Sequence, residues 1–237
     1  MDIRNLKEQV YDEIRLDILS GRLAQGQRVS ATDLAKRFNI SSQPVRDAII
    51  RLTEEGLIYV RPRRGTFVTT INPDRVVELN SAREMIETFS LNHINLSLIG
   101  GSSTWNMLTL ALTEMDRVVS QNRYDYLEYN RWDYQFHLGL VMLGQNNTIT
   151  AIYQKLHPHS LYSMVMYQYA STMHGNHQDH AEIIEYLRNR QIEEAQHLCI
   201  RHIQQATAKL LELMGVEHVE DRIHRPDTGY SPAENFE

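Results

Sequence analysis

One stretch near the start of the chain, ISSQPVRDAIIRLTEEGLIYV at residues 40–60, restricts the possible folds more than any other. Ser41 or Ser42 can cap a helix, and Pro44 suits the first turn, where its missing N–H costs nothing. Gly56 ends the pattern. Apolar residues lie between at helical spacing, namely Val45, Ala48, Ile49 and Leu52. The stretch therefore predicts an amphipathic helix with a polar beginning.

Other helices precede this stretch, and two β-rich segments follow it. A helix is predicted over residues 5–20, and a second, shorter one follows Ser30 or Thr32. The segments LIYVRP and GTFVTTI then predict a β-hairpin. The basic tip of this hairpin comprises Arg63, Arg64 and Gly65. Three helices followed by a hairpin form the pattern of a winged helix-turn-helix domain.

The polar beginning of the third helix has a reason in such a domain. The second helix of the motif lies in the major groove and presents its N-terminal residues to base edges. The side chains placed to reach phosphates or bases are Ser41, Ser42, Gln43 and Arg46. A simpler interpretation is that Ser-Ser-Gln-Pro only caps a helix and that Arg46 is a solvated surface charge. The basic hairpin at the expected distance favours DNA binding.

Charge is distributed unevenly along the chain. The net charge is −6 overall, but residues 1–72 hold 12 Lys and Arg against 9 Asp and Glu, a net of +3. The remaining residues hold 12 against 21, a net of −9, and all 11 histidines lie among them. This asymmetry predicts two modules with different partners, of which the first binds a polyanion.

From residue 72 onwards the sequence predicts helices with almost no strand signal. Their predicted ranges are 72–99, 105–121, 124–143, 147–170, 179–189 and 191–214. The whole chain is therefore expected to be mainly α, with a winged helix-turn-helix at 1–71 and an all-α helical bundle at 72–216. The polar tail at 217–237 is expected to be disordered.

Composition restricts the location of the protein. A hydrophobic content of 42% and a charged content of 23% are ordinary for a soluble globular protein, and no apolar run is long enough to span a bilayer. The single Cys199 excludes an internal disulfide and suits a reducing compartment. We therefore expect a cytoplasmic protein without a membrane partner.

The second module contains residues that suit a metal ion. Asp133 and His137 are four positions apart, so both project from one face of a helix, and later helices supply His180 and His202. A carboxylate and imidazoles on facing helices are a recurrent metal site in bundles. The alternative is that each buried histidine simply bonds a carbonyl oxygen, and spacing alone does not decide between the two. Four other histidines, His157, His159, His174 and His177, could supplement this site or bind metal adventitiously, but most of them are predicted to be loop or surface residues.

Residues 5–71 resemble the DNA-binding domain of the GntR family of bacterial transcription regulators. The likeness is carried by LAKRFNISSQPVRDAIIRLTEEGLIYVRPRRGTFV, with its PVR-x-A-x-x-x-L-x-x-x-G-L core. It implies a homodimer on a short palindromic operator in double-stranded DNA, with Arg46 in the major groove and Arg64 and Gly65 at the wing tip. Many relatives have arginine in place of Ser42, and some have arginine in place of Thr32. A serine cannot make the bidentate guanine contact, so the usual operator sequence does not transfer.

Residues 73–214 are similar to the FCD ligand-binding domain of the FadR branch of this family. Its pattern of D-x-x-x-H and two later histidines matches Asp133, His137, His180 and His202. The resemblance implies that these four residues hold Zn²⁺ or Ni²⁺, with open positions for water or an effector carboxylate. Arg83 matches an arginine that can bind this effector. The alternative for Arg83 is an ion pair with Glu87 within the helix.

Together the two resemblances imply a transcription regulator and not an enzyme. Its operator affinity would depend on a small carboxylate metabolite bound at the metal and Arg83. One alternative is a metal sensor in which the ion itself is the signal. Another is a metalloenzyme with a nucleic-acid tether, because zinc with an open position can activate water. The sequence shows no general base beside the site, no Ser/His/Asp set and no P-loop.

Overall fold

The computed structural model describes residues 3–121, 125–156, 163–166, 177–217 and 219, and it is mainly helical. The N-terminal part contains three helices and three strands. The helices are α1 (Ile3–Leu19), α2 (Ala31–Phe38) and α3 (Ser42–Glu54). The strands are β1 (Arg28–Val29), β2 (Ile58–Arg61) and β3 (Gly65–Val68), which pair antiparallel in the order β1-β3-β2.

The caps of α2 follow the expected chemistry. The Ser30 hydroxyl accepts the Asp33 N–H at 3.2 Å, and Asn39 ends the helix in the left-handed conformation with φ 53°. Ser41 has the extended conformation of an N-cap before α3, but its hydroxyl makes no capping hydrogen bond. This hydroxyl is therefore available to a ligand at the start of α3.

The predicted hairpin is present, but the sheet has a third strand that the sequence did not indicate. Arg28 and Val29 pair with Phe67 and Thr66 of β3. The prediction assigned residues 23–30 to a turn-rich connection, because two residues are too short to show the alternation that identifies a strand. The wing is therefore wider than a two-stranded hairpin, and β1 brings Arg28 onto it.

The C-terminal part consists of helices. They are α4 (Pro73–Asn92), α5 (Ser103–Val119), α6 (Tyr126–Leu143), α7 (Asn147–Leu156), α8 (His177–Arg188) and α9 (Ile192–Leu213), with a short 3-10 turn at Leu96–Leu98. Residues 163–166 are also helical. Helix α4 begins as predicted, with the Asn72 side chain accepting the Arg75 N–H at 2.8 Å and with Pro73 in the first turn. It ends at Asn92, earlier than the predicted 99.

Two further predictions involve segments that the structure does not describe. The predicted helix at 147–170 is observed up to Leu156 and again at 163–166, and the intervening residues lie outside the described ranges. The predicted tail at 217–237 lies outside them too, except for 217 and 219. None of the helices in the described ranges is both long and apolar enough to cross a lipid bilayer.

Apolar side chains form two large cores. The bundle core contains Trp105, Leu108, Phe136 and Leu140 from α5 and α6, together with residues of α8 and α9. Helices α5 and α6 approach closely at Gly139, where a Cβ atom would lie 2.6 Å from Leu108 Cγ. The second core crosses the predicted domain boundary. In it the winged domain packs against the beginning of α4, the end of α9 and residues 163–166, through Val76, Leu79, Met164, Val165, Leu210 and Leu211.

Candidate metal centre and DNA-contacting surface

Three helices bring the four predicted metal ligands together. Helix α6 supplies Asp133 and His137, α8 supplies His180, and α9 supplies His202. We call these four residues the histidine cluster. Each offers one ligand atom, and the four atoms all lie within 4.8 Å of one another. The imidazoles are buried, with 1%, 0% and 8% exposure for His137, His180 and His202. The spacing in the sequence thus identified residues that converge in space.

The distances inside the histidine cluster suit a single ion. The His137 Nε2 atom is 3.2 Å from His180 Nε2 and 3.9 Å from the Asp133 Oδ1 atom. His180 Nε2 is 3.3 Å from the same Asp133 oxygen. Two ligand atoms that are each about 2.1 Å from a tetrahedral Zn²⁺ lie about 3.4 Å apart. Three imidazoles and one carboxylate are also a ligand set for borderline divalent ions such as zinc and nickel.

Two carboxylates outside the histidine cluster fix the orientation of its imidazoles. Glu87 Oε2 accepts a hydrogen bond from His137 Nδ1 at 2.8 Å, and Asp179 Oδ2 accepts one from His202 Nδ1 at 3.2 Å. Because an ionised carboxylate only accepts, each Nδ1 carries the proton and each Nε2 keeps its lone pair. Carboxylate–histidine pairs of this kind are the usual outer shell of a metal site. Asp179 was not among the predicted site residues, although it directly precedes His180.

His180 lacks this support within the part of the chain that the structure covers. Its ring is fully buried, and its Nδ1 atom has no hydrogen-bond partner among the described residues. Its Nε2 atom points at His137 Nε2 at 3.2 Å. Because His137 Nε2 keeps its lone pair, His180 Nε2 can face it at this distance only with a proton or a cation between the two atoms. The arrangement is therefore chemically consistent with an ion bound by both Nε2 atoms.

The protonation states favour metal binding. Burial lowers the pKa of His137, His180 and His202, so these imidazoles are neutral near pH 7, as metal ligands must be. Burial acts to raise the pKa of Asp133, but the His180 hydrogen bond and the positive charge of Arg83 act against it, and the pKa lies well below its usual range. The carboxylate of Asp133 is therefore ionised and ready to bind a cation.

Glu87 is the centre of a buried hydrogen-bond network beside the histidine cluster. Its Oε1 atom accepts from Arg83 Nε at 2.6 Å and from the Tyr153 hydroxyl at 2.9 Å. Its Oε2 atom accepts from Cys199 Sγ at 3.3 Å as well as from His137. Burial raises the pKa of both Tyr153 and Cys199 well above their ordinary values, so both remain protonated donors. The carboxylate is thus satisfied by four donors.

Glu87, His137 and Cys199 also approach one another closely enough to hold an ion. Their hydrogen bonds favour a different role for this group. The thiol is protonated and donates to Glu87, and the positive Arg83 guanidinium lies against the same carboxylate. We therefore interpret Glu87 and Cys199 as supports of the histidine cluster.

Arg83 forms the ion pair with Glu87 that the sequence left as the alternative to effector binding. Both residues are buried, with 3% and 0% exposure. The Arg83 charge also lowers the pKa of Asp133 and of the three imidazoles, although it is a smaller influence than burial. Because Glu87 bonds both Arg83 and His137, the guanidinium lies near the histidine cluster. Its role towards an effector stays a prediction.

The remaining histidines of the second module are only partly described. The side chains of His157, His159, His174 and His177 lie outside the described residues. His197 lies on α9, as His202 does, but its side chain is exposed. His93 is also exposed and stacks on Phe89 with the ring centroids 4.1 Å apart.

The predicted DNA-contacting residues lie on the beginning of α3 and on the wing. Ser41, Gln43 and Arg46 are exposed, and Ser42 is half-buried. The Gln43 amide donates to Asp47 Oδ1 at 2.7 Å, so this side chain is held along the helix. Arg46 forms no ion pair with any described residue and is therefore available to an anion.

The tip of the wing is a tight turn that presents two arginines. The Arg64 N–H bonds the Arg61 carbonyl at 3.0 Å, with Pro62 and Arg63 between them. Arg63 has φ 62° and Gly65 has φ 121°. A non-glycine residue at positive φ costs about 1–2 kcal/mol, so the backbone at Arg63 is strained in this turn.

The chain is similar to bacterial regulatory proteins in two separate regions. Residues 6–68 match the family described as bacterial regulatory proteins, gntR family, and residues 78–205 match the FCD domain. The second match covers more than half of the chain.

Individual proteins show the same likeness. An HTH-type transcriptional regulator of Streptomyces ambofaciens is 32% identical over 153 residues, which are 63% of this chain and 61% of that protein. The transcriptional repressor RspR of Escherichia coli is 40% identical over 82 residues, which are 35% of this chain and 36% of the repressor. The matches thus span less than two thirds of either relative.

A solved structure extends the likeness of the fold over nearly the whole chain. A GntR-type regulator of Rhodococcus sp. RHA1 has a TM-score of 0.66 at 23% identity, and the match covers 87% of this chain and 97% of that one. The two sequence matches, the winged helix-turn-helix and the helical bundle agree with one another. The chain therefore belongs to the GntR family of bacterial regulatory proteins and carries an FCD domain.

Proposed function

We propose that this protein is a DNA-binding transcription regulator whose operator affinity depends on a small carboxylate metabolite bound beside a divalent metal ion. Residues 1–71 bind a palindromic operator as part of a homodimer, and residues 72–216 bind the metal and the effector. The observation that carries the proposal is the convergence of Asp133, His137, His180 and His202 in a chain that also has a winged helix-turn-helix.

The ligand set supports the metal part of this proposal. Three neutral imidazoles and one ionised carboxylate suit Zn²⁺ or Ni²⁺, and two of the imidazoles are oriented by the carboxylates of Glu87 and Asp179. The ion, when bound, supplies a positive centre with coordination positions left over for an anionic ligand. The Arg83 guanidinium adds a second positive charge near this place, and a planar guanidinium suits a carboxylate.

The charges of the winged domain support the DNA part. Arg46 at the beginning of α3 and Arg63 and Arg64 at the tip of the wing are exposed, and none of them forms an ion pair with a described residue. Such arginines attract phosphate without having to break a bond within the protein. Ser42 and Thr32 leave the surface with fewer arginines than many relatives have, so we propose an operator that differs from the usual one.

Two helices connect the two sites. Helix α4 carries Leu79 in the core of the winged domain and, one turn later, Arg83 beside the histidine cluster. Helix α9 carries His202 and, two turns later, Leu210 and Leu211 in the same core. A ligand that moves either helix therefore changes the packing against the winged domain. The coupling must be reciprocal, so an effector that weakens DNA binding is itself bound more weakly by the DNA complex.

A thermal-shift screen tests this proposal. Carboxylate metabolites are added to the metal-loaded and to the chelated protein, and a true ligand raises the melting temperature progressively with its concentration. His202→Ala removes one ligand of the ion and should abolish the shift. His197→Ala, on the exposed face of the same helix, is the matched control and should retain it.

The result that would overturn the proposal is an effector shift that persists in His202→Ala or after chelation. A change in DNA affinity on addition of the metal alone, without any carboxylate, would instead support the metal sensor. Turnover of a carboxylate by the metal-loaded protein would support the tethered metalloenzyme.

A further inference from the structure

The cations of the winged domain fall into two groups. Among the described residues between 6 and 71, one group forms ion pairs with carboxylates: Lys7, Arg15, Arg22, Arg37 and Arg51. The other group forms no ion pair with a described residue: Arg28, Lys36, Arg46, Arg61, Arg63 and Arg64. All of the second group except Lys36 lie at the beginning of α3 or on the wing. The arginines of this surface are therefore not neutralised by carboxylates of the described residues.

Arg28 and Arg61 lie on one face of the wing sheet, away from its tip. The register pairs Arg28 with Phe67, Tyr59 with Phe67, and Arg61 with Gly65. Because alternate residues of a strand point to opposite faces, these five residues share one face. The opposite face holds the buried Val29, Ile58 and Val68. We call the face of Arg28, Tyr59, Arg61, Gly65 and Phe67 the outer wing face.

Both arginines of the outer wing face are held by their neighbours. The rings of Tyr59 and Phe67 stack with their centroids 5.8 Å apart, and the Arg61 guanidinium lies 5.4 Å and 5.8 Å from these two centroids. The Arg28 guanidinium lies over Gly65, where a Cβ atom would be 2.9 Å from its Nε atom. Contacts with rings and a glycine restrict the two side chains but neutralise neither charge.

We propose that the outer wing face is a second phosphate-binding surface, which contacts the backbone of duplex DNA beside the bases read by α3. Two observations favour this occupant. Two exposed, uncompensated guanidiniums complement a polyanion, and the face is continuous with the wing tip, since Arg61 is two residues from Arg63. The inference rests on the proposed function, because it requires that the winged domain binds DNA. It extends the contact surface to two arginines outside the helix start and the tip.

Phosphate contacts carry no sequence information, so the experiment does not need the operator. The probe is a 40-base-pair duplex of random sequence, and the full-length protein is titrated at several salt concentrations. Each phosphate contact contributes about −0.9 to the slope of log K against log salt concentration. Arg28→Ala and Arg61→Ala should each make the slope shallower by about one, and Arg28→Lys and Arg61→Lys should restore it.

The control is Arg131→Ala, which removes an exposed arginine of α6 that forms no ion pair with a described residue. It should leave the slope unchanged, and unaltered melting temperatures show that all variants are folded.

Unchanged slopes in Arg28→Ala and Arg61→Ala overturn the inference while the proposed function stands, provided that the wild type binds duplex DNA and Arg46→Ala weakens this binding. Absence of DNA binding by the wild type overturns both. Loss of binding only to single-stranded nucleic acid also overturns the inference, because it would identify Tyr59 and Phe67 as a base-stacking platform.

Discussion

Replacing Glu87 with glutamine removes one buried charge and leaves the shape of the side chain almost unchanged. In the native protein the two carboxylate oxygens accept from Arg83, Tyr153, His137 and Cys199 at 2.6, 2.9, 2.8 and 3.3 Å. An amide has one acceptor oxygen, and its NH₂ group would face two of these donors. The substitution therefore leaves the Arg83 charge without its carboxylate partner and breaks hydrogen bonds on one side of the network.

The size of the expected loss in stability follows from the burial of the Arg83–Glu87 ion pair. Arg83 is 3% and Glu87 0% exposed, and removal of one partner from a buried ion pair costs about 3–5 kcal/mol. We expect a loss of this size in the free energy of unfolding of the metal-free bundle, against a typical total of about 5–15 kcal/mol. His137 also loses the carboxylate that orients it. Loss of such an outer-shell partner lowers metal affinity about 10- to 100-fold.

Tryptophan fluorescence during urea unfolding measures the free energy of unfolding of the bundle, because both tryptophans, Trp105 and Trp132, lie in it. A competition assay with a chelator of known affinity measures the metal affinity. Glu84→Gln is the matched control, since Glu84 lies on the same helix, is only half-buried and accepts one hydrogen bond from Gln204 at 3.3 Å. It should change the stability by less than about 0.5 kcal/mol. If Glu87→Gln behaves like this control in both assays, the assignment of Glu87 as the centre of the network is wrong.

Three further outcomes are expected. Arg46→Ala should weaken operator binding by about 1–3 kcal/mol in a fluorescence-anisotropy titration, whereas Arg131→Ala should not, and equal affinities would exclude Arg46 from the interface. Gly139→Ala should destabilise the bundle by about 1–3 kcal/mol, because the added methyl group meets Leu108 Cγ at 2.6 Å; an unchanged melting temperature would contradict this close packing. Acidification from pH 7.5 to 5.5 should destabilise the metal-free protein. Burial lowers the pKa of the three cluster imidazoles, so below about pH 6.5 the unfolded chain binds more protons than the folded one. A melting temperature that is constant over this range would show that burial does not lower the pKa of these imidazoles in the folded state.

Local sequence signals predicted the elements of the fold well. Caps and breakers such as Ser30, Asn39 and Asn72 act over one turn of helix, so they could be identified without tertiary information. Strand β1 was not predicted, because its two residues form a strand only when β3 lies beside them. Arg28 on β1 was for this reason absent from the predicted DNA-contacting residues.

The site shows the same division between local and long-range information. The helical periodicity, the polar start of α3 and the Asp133/His137 pair on one helical face could be predicted, because each depends on residues within a few positions. Packing between helices was needed to bring His180 and His202 to this pair and to let Asp179 and Glu87 orient two of the imidazoles. Packing also placed Arg83 against Glu87, a contact that the spacing alone could not distinguish from effector binding. These relations join helices that are far apart in the chain, and burial at their meeting point sets the charge states that allow the cluster to hold a cation.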